Sequence, residues 1–154
     1  NPHLPQPLYL SQLTQKAFQA VKEGKRDTLH ALVNNYDLIS SKDTSGNKLL
    51  TTAILYNRNN MVKFLISKGA NVNSLNKDGE TPIIVAAKMK NFEAANFLIK
   101  KGCNLRKLDK LGNSALDYAA EDKTSPVYLL IKKNLRSQKT KVKFRNKRSK
   151  NKFR

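Results

Sequence analysis

The sequence predicts an all-α solenoid of four stacked helix-turn-helix units, and three observations carry that prediction. The first is a register of 33 residues: Gly46, Gly79 and Gly112 align, as do Ala20, Ala53, Ala86 and Ala119, then Leu32, Leu65, Leu98 and Ile131, then Gly69 and Gly102. Periods of this size mark architectures in which each unit buries its apolar face on its neighbours. The second is that each register carries the same order of features: a polar turn, a short apolar run, and a longer stretch of apolar residues at helical spacing. The third is an abrupt change of composition after Ile131, beyond which the chain is basic and holds no acid.

The elements follow in order. Residues 1–9 hold three prolines in their first seven positions and read as an irregular arm. The first unit, 10–42, carries Ala17, Ala20-Val21, Gly24, Leu29 and Leu32-Val33 but lacks the turn glycine, as terminal capping units do. Units 43–75 and 76–108 are the complete ones. In the latter, Asn76-Lys77-Asp78-Gly79 is turn chemistry, with glycine supplying positive φ. Thr81 is placed to cap a helix and Pro82 to occupy its first position, where no N–H is needed. The alanine column is small, which lets neighbouring helices approach closely. Phe92, Ala95, Phe97, Leu98 and Ile99 repeat the pattern of Met61, Val62, Phe64, Leu65 and Ile66, and these second helices stop at Gly102 and Gly69, in the position of a C-cap. The fourth unit, 109–136, offers Ser125-Pro126 as an N-cap and first helical residue. It places Lys132 where an apolar side chain would pack on a fifth unit, so its last helix is expected to face solvent.

These residues resemble an ankyrin repeat. The family pattern, roughly G-x-T-P-L-H-x-A-A, then V-x-x-L-L, then G-A, reads here as Gly79, Thr81-Pro82-Ile83-Ile84, Ala86-Ala87, Ala95, Leu98-Ile99 and Gly102-Cys103. The preceding unit matches through Asp43, Gly46, Ala53, Val62, Leu65-Ile66, Gly69-Ala70, Val72 and Asn73. The following one matches through Asp109, Gly112, Leu116, Ala119-Ala120 and Leu130-Ile131. The resemblance covers about residues 10–136. Only the third unit keeps Thr-Pro, and the family histidine is replaced by Thr51, Ile84 and Asp117. Weaker hydrogen bonding between repeats and modest stability are therefore expected.

Catalytic chemistry is hard to assemble from these residues. A nucleophile, a base and an orienting group must converge, and the candidates are few. His30 falls on the second helix of the first unit, at a position expected to face solvent, and His3 lies in the arm. Cys103 takes the small position after a helix-ending glycine and reads as a buried, inert thiol. One thiol excludes an intramolecular disulfide and a cysteine zinc site. Asp117, Glu121 and Asp122 read as a local cap and solvated surface rather than as metal ligands. The glycines are too scattered for a phosphate loop. No enzymatic activity and no cofactor are expected.

The resemblance implies a scaffold that binds another protein through its hairpin tips and first helices. Mapped here, that face comprises Asn47, Leu55, Tyr56 and Leu75, then Lys77, Asp78, Glu80, Lys88, Met89 and Leu108, then Lys110, Leu111 and Asn113. Thr44, Ser45, Glu121 and Asp122 flank it, and Lys22, Glu23 and Lys42 extend it onto the capping unit. Leu55, Tyr56, Leu75, Met89, Leu108 and Leu111 stand where the scaffold itself does not need apolar side chains. They are expected to form an apolar strip ringed by Lys77, Lys88 and Lys110.

The alternative reading is a polyanion binder acting through the tail. Lysine and arginine number 30 against 11 acids, a net charge of +19, and 12 of the basic residues lie after Ile131 with no acid among them. Residues 137–154 have too little apolar surface to offset the entropy of ordering and read as a disordered tail. Lys141, Lys143, Arg145, Lys147, Arg148, Lys150, Lys152 and Arg154 would meet nucleic acid or an anionic membrane surface.

No apolar run approaches the ~20 residues of a membrane helix, the longest being Ile83 to Ala87. No charged segment followed by an apolar one marks a signal peptide, although a chain beginning at Asn1 leaves room for one already removed. A soluble monomer is expected, in the cytoplasm or secreted into a host cell. The abundance of Asn and Lys resembles that of AT-rich bacteria living inside eukaryotic cells, whose ankyrin-repeat proteins often act on the host.

Overall fold

Short links between apolar helical segments force the chain back on itself, and the result is a stack of helix pairs. The computed structural model describes residues 7–138. The first pair is α1 (Pro7–Glu23) and α2 (Arg26–Asn35), and the second α3 (Leu49–Leu55) and α4 (Asn59–Ser67). The third is α5 (Pro82–Lys88) and α6 (Phe92–Lys100). The fourth is α7 (Ala115–Ala119) and α8 (126–138). The first helices stack α1 on α3 on α5 on α7, and α4 packs on α6 behind them.

The core lies between the two layers. Ala20, Ala53, Ala86 and Ala119 are buried where first helices meet, and Leu65, Leu98 and Ile131 are fully buried behind them. Removing that apolar surface from water at about 25 cal/mol per Å² is what holds units too short to be stable alone. The chain is an all-α repeat solenoid.

The helix ends are set as the residue types demand. Thr81 Oγ1 accepts the Ile84 N–H at 3.3 Å, and Pro82 opens α5. Ser114 and Asp117 form a reciprocal capping box on α7. Ser125 Oγ accepts the Tyr128 N–H at 3.2 Å and starts α8. Gly69 and Gly102, both at positive φ, close α4 and α6 with Schellman turns: Ala70 N–H bonds to the Leu65 carbonyl, and Cys103 N–H to that of Leu98. A further column turns the first helices α1, α3 and α5 into the second helices α2, α4 and α6. It comprises Gly24, Asn57 and Lys90, with φ of 73°, 58° and 55°.

Three expectations are corrected in detail. The helix of the first unit begins at Pro7, so 7–9 are not irregular: proline suits a first helical position, and Tyr9 packs on the core with its ring edge-on to Tyr36 at 6.3 Å. His30 is not a free surface histidine, because its ring stacks on Phe64 with centroids 3.6 Å apart. The helix of the fourth unit runs through Ser137 and Gln138, across the boundary placed at Arg136. The remaining residues of the basic segment lie outside the described residues.

Hydrogen bonds join the repeats without the family histidine. Lys77 N–H reaches the Ser45 carbonyl at 3.2 Å and Lys110 N–H that of Asp78 at 3.1 Å, which ties each hairpin to the next. Asn104 N–H meets Asn73 Oδ1 at 2.8 Å. Thr51 and Ile84 are simply buried.

Candidate protein-binding face

The hairpins are built from a polar residue that folds the backbone around its own side chain. Asp43 Oδ1 accepts the N–H groups of Ser45 and Asn47, both at 2.9 Å. Asn76 Oδ1 accepts those of Asp78 and Glu80, both at 3.0 Å. Asp109 Oδ1 accepts those of Leu111 and Asn113 at 3.0 and 2.9 Å. Each is an Asx turn followed by a glycine at positive φ. An added Cβ at Gly46 would stand 2.9 Å from the Lys77 backbone nitrogen, so close stacking of hairpins requires glycine there.

A polar chain runs from hairpin to hairpin across the first helices. Asn76 Nδ2 donates to Asn47 Oδ1 at 3.0 Å and to Glu80 Oε1 at 2.9 Å. Lys88 reaches back along α5 to Glu80 Oε2 at 2.6 Å, and its Nζ lies 5.1 Å from the centre of the Tyr118 ring. The Tyr118 hydroxyl donates to Asp109 Oδ2. That hydroxyl, with the backbone N–H groups, holds the Asp109 carboxyl below its usual range, and the Glu80 hydrogen bond holds the Lys88 ammonium above its own. The same bond to Asp109 raises the Tyr118 phenol.

The expected site residues therefore divide. Glu80, Lys88, Asn47 and Asn113 are engaged in holding hairpins and helices together, and Glu80 is buried. Leu55 is half-buried against the core. Tyr56, Leu75, Met89, Leu108 and Leu111 are exposed by 45, 47, 48, 50 and 81%. Lys77, Asp78 and Lys110 are exposed beside them, as are Thr44, Ser45, Glu121, Asp122, Lys22 and Lys42. Glu23 is exposed too and pairs with Lys25 at 2.8 Å.

The exposed apolar groups stand at two levels. Tyr56 and Met89, one repeat apart, cap the C-terminal ends of α3 and α5. Leu75 and Leu108, also one repeat apart, stand at the bases of the hairpins, with Leu111 at a tip. A first helix of seven residues separates the levels by roughly 10 Å. A groove of about 670 Å³ opens beyond them, between α1 and the first hairpin, lined by residues including Gln15, Phe18, Lys22, Lys42 and Thr44.

Tyr118, Asp109 and Asn76, which join the face into one network, were not among the residues expected there. The signal that could have found them is the column Asp43, Asn76 and Asp109, each three residues before a turn glycine.

Catalytic and metal chemistry have little to work with among the described residues. Cys103 is buried, and burial pushes its thiol up to about 12, which removes the thiolate at neutral pH. No cluster of three or more His, Cys, Asp or Glu there could hold a metal ion. No helix there is long and apolar enough to cross a membrane. The residues assigned to the tail site, Lys141 to Arg154, lie outside the described residues.

Helix pairs stacked in register, with hairpins projecting from one edge, define a repeat scaffold. A family model described as ankyrin repeats (3 copies) matches residues 17–109 and 58–143. The chain belongs to the ankyrin-repeat family. It is 34% identical over 79 residues to an ankyrin repeat protein of Rickettsia felis, a match covering 51% of this chain and 14% of that protein. It is 26% identical over 81 residues to an ankyrin repeat-containing protein of Schizosaccharomyces pombe, covering 53% of this chain and 39% of that one. The matched stretches thus span well under two thirds of either relative. Ankyrin repeats in general mediate protein–protein interaction and form non-enzymatic modules.

Proposed function

We propose that this chain is a non-enzymatic scaffold that docks a partner protein on its hairpin and first-helix face. One observation supports this reading above the others. Two apolar columns in repeat register, Tyr56 with Met89 and Leu75 with Leu108, stay about half exposed although a soluble scaffold gains nothing from exposing them. Large apolar groups at such positions act as anchors in binding. Lys77 and Lys110 stand beside the hairpin leucines, which favours a partner segment carrying apolar and acidic side chains. The engaged Glu80–Lys88 pair holds the surface in shape rather than meeting the partner directly.

The test is capture of the partner from lysate by the full chain, followed by affinity measurements on Tyr56→Ala/Met89→Ala. A loss of tenfold or more in affinity, with an unchanged melting temperature, is expected. Unchanged affinity would remove these residues from the docking surface.

A further inference from the structure

Charge in the second, third and fourth units is sorted by repeat position, whereas the equivalent stretch of the first unit holds Asp37. None of the 11 acidic residues lies in 61–75, 94–108 or 127–138, the segments that run from the body of a second helix into the link that follows. Three of the four second helices, α4, α6 and α8, or their caps instead carry two lysines each: Lys63 and Lys68, Lys100 and Lys101, Lys132 and Lys133. Lys68 and Lys101 are one repeat apart, as are Lys100 and Lys133. Five are exposed, and Lys132 lies half-buried over the Tyr128 ring at 5.4 Å. None of the six takes part in an ion pair among the described residues, where the pairs are Lys25–Glu23 and Lys88–Glu80. One lysine at a helix end is accounted for by the helix dipole. A doubled set on three helices, with Glu93 in the first turn of α6 as the one acid among them, is not.

The surface between these lysines also has a character. A groove of about 360 Å³ between α4 and α6 has Lys63, Lys100 and Lys101 around Phe97, Ile66 and Ser67. A second, of about 480 Å³, has Lys132 and Lys133 beside Tyr128 and Leu129 at the end of the stack. Cations beside an aromatic ring thus occur twice, once between α4 and α6 and once at the end of the stack. Packed helices lie about 8–10 Å apart, so the repeat-equivalent backbone positions of Lys68 and Lys101, and of Lys100 and Lys133, recur at about that interval along the stack. The neutral residues interspersed there include Ser67, Asn96 and Asn104, which offer hydroxyl and amide groups.

We propose that the face made by α4, α6 and α8 binds nucleic acid through its phosphate backbone, without base-specific readout. The face is separate from the one proposed to dock a protein. A row of cations with hydroxyl and amide groups between them matches the phosphates and sugars of a linear polyanion. A bilayer would call for apolar groups to insert, and the large exposed ones on these helices are only Phe92 and Leu129. A protein partner would call for a charge-depleted apolar centre, which this row lacks.

The test is fluorescence anisotropy of a labelled single-stranded DNA of mixed sequence, titrated with the full chain at several salt concentrations. Lys100→Glu/Lys133→Glu should bind about tenfold more weakly at low salt. Its dependence of log affinity on log salt should be shallower by roughly 0.7 for each phosphate no longer neutralised. The control Lys16→Glu/Arg26→Glu makes the same change in net charge on the capping unit and should bind nearly as the unaltered chain does. Lys100→Gln/Lys133→Gln, with melting curves for every variant, separates a binding loss from a folding loss and should show about half the effect. Equal weakening by face and control variants would reduce the effect to net charge and overturn the proposal. So would unaltered binding by both face variants, which would leave the tail as the binder. Binding to phosphatidylserine vesicles with none to DNA would assign the face to a membrane instead.

Discussion

The guanidinium of Arg58 closes the C-terminal end of α1, with Nε donating to the Val21 carbonyl at 3.2 Å and Nη2 to that of Lys22 at 2.7 Å. One repeat later the same position is Asn91, whose Nδ2 donates to the Ile54 carbonyl at 3.4 Å and to Asn59 Oδ1 at 2.9 Å. Val21 and Ile54 are themselves repeat equivalents. At these two junctions a side chain just after the first helix of one unit satisfies orphan carbonyls at the end of the first helix before it.

Arg58→Ala removes two charge-assisted bonds and leaves those carbonyls to water. It should cost about 1 to 2 kcal/mol, read as a lower urea midpoint with an unchanged m-value. Arg58→Lys should recover little, since one ammonium cannot reproduce the planar fork. A midpoint unchanged in Arg58→Ala would show that water replaces the guanidinium without loss.

Lys90 holds φ of 55°, in the column where Gly24 and Asn57 stand. A long side chain in the left-handed region costs about 1 kcal/mol, whereas glycine and asparagine tolerate it. Lys90→Gly and Lys90→Asn should each raise stability by about 0.5 to 1 kcal/mol, or about 2–4 °C in melting temperature. Lys90→Val should lower it.

These two positions show what the sequence left hidden. Register, helix pairs, caps at Thr81, Ser125, Gly69 and Gly102, and the buried thiol of Cys103 were all legible, because each rests on a residue type at a repeated position. The column Gly24, Asn57 and Lys90 was not, because glycine, asparagine and lysine share no chemistry and only the backbone unites them. The polar chain through Tyr118 was hidden for a different reason. Glu80 and Lys88 look like free surface charges until the fold brings hairpin and helix end together. His30 looked solvated until Phe64, from the next unit, covered it.

The Asp109–Tyr118 bond gives a pH dependence whose sign is fixed. The Asp109 carboxyl is held below its ordinary 3.8, so the folded state favours the carboxylate. Its contribution is present above that value and is lost as pH falls through the lowered one. Lys88 and Tyr118 are raised above their ordinary 10.5 and 10.0, so their contributions are lost as pH climbs through the raised values. Urea midpoints should fall below about pH 4 and again above about pH 10. Tyr118→Phe should flatten the acid limb by removing the main cause of the Asp109 shift. An acid limb equally steep in Tyr118→Phe would move the origin elsewhere.

Gly46 and Gly112 separate two demands that the repeat places on one residue. Both have positive φ, of 75° and 81°. A Cβ at Gly112 meets nothing within 4 Å, whereas at Gly46 it would stand 2.9 Å from the backbone nitrogen of Lys77. That nitrogen donates to the Ser45 carbonyl and ties the two hairpins. Gly112→Ala should therefore cost only the left-handed conformation, about 1 kcal/mol. Gly46→Ala should cost that and the displacement of the neighbouring hairpin, about 2 kcal/mol or more. Amide hydrogen exchange distinguishes the outcomes, since Gly46→Ala should speed exchange at Lys77 while Gly112→Ala leaves Lys110 protected. Equal costs for both, with Lys77 still protected, would mean that the hairpins yield freely and that their backbone link contributes little to the stack.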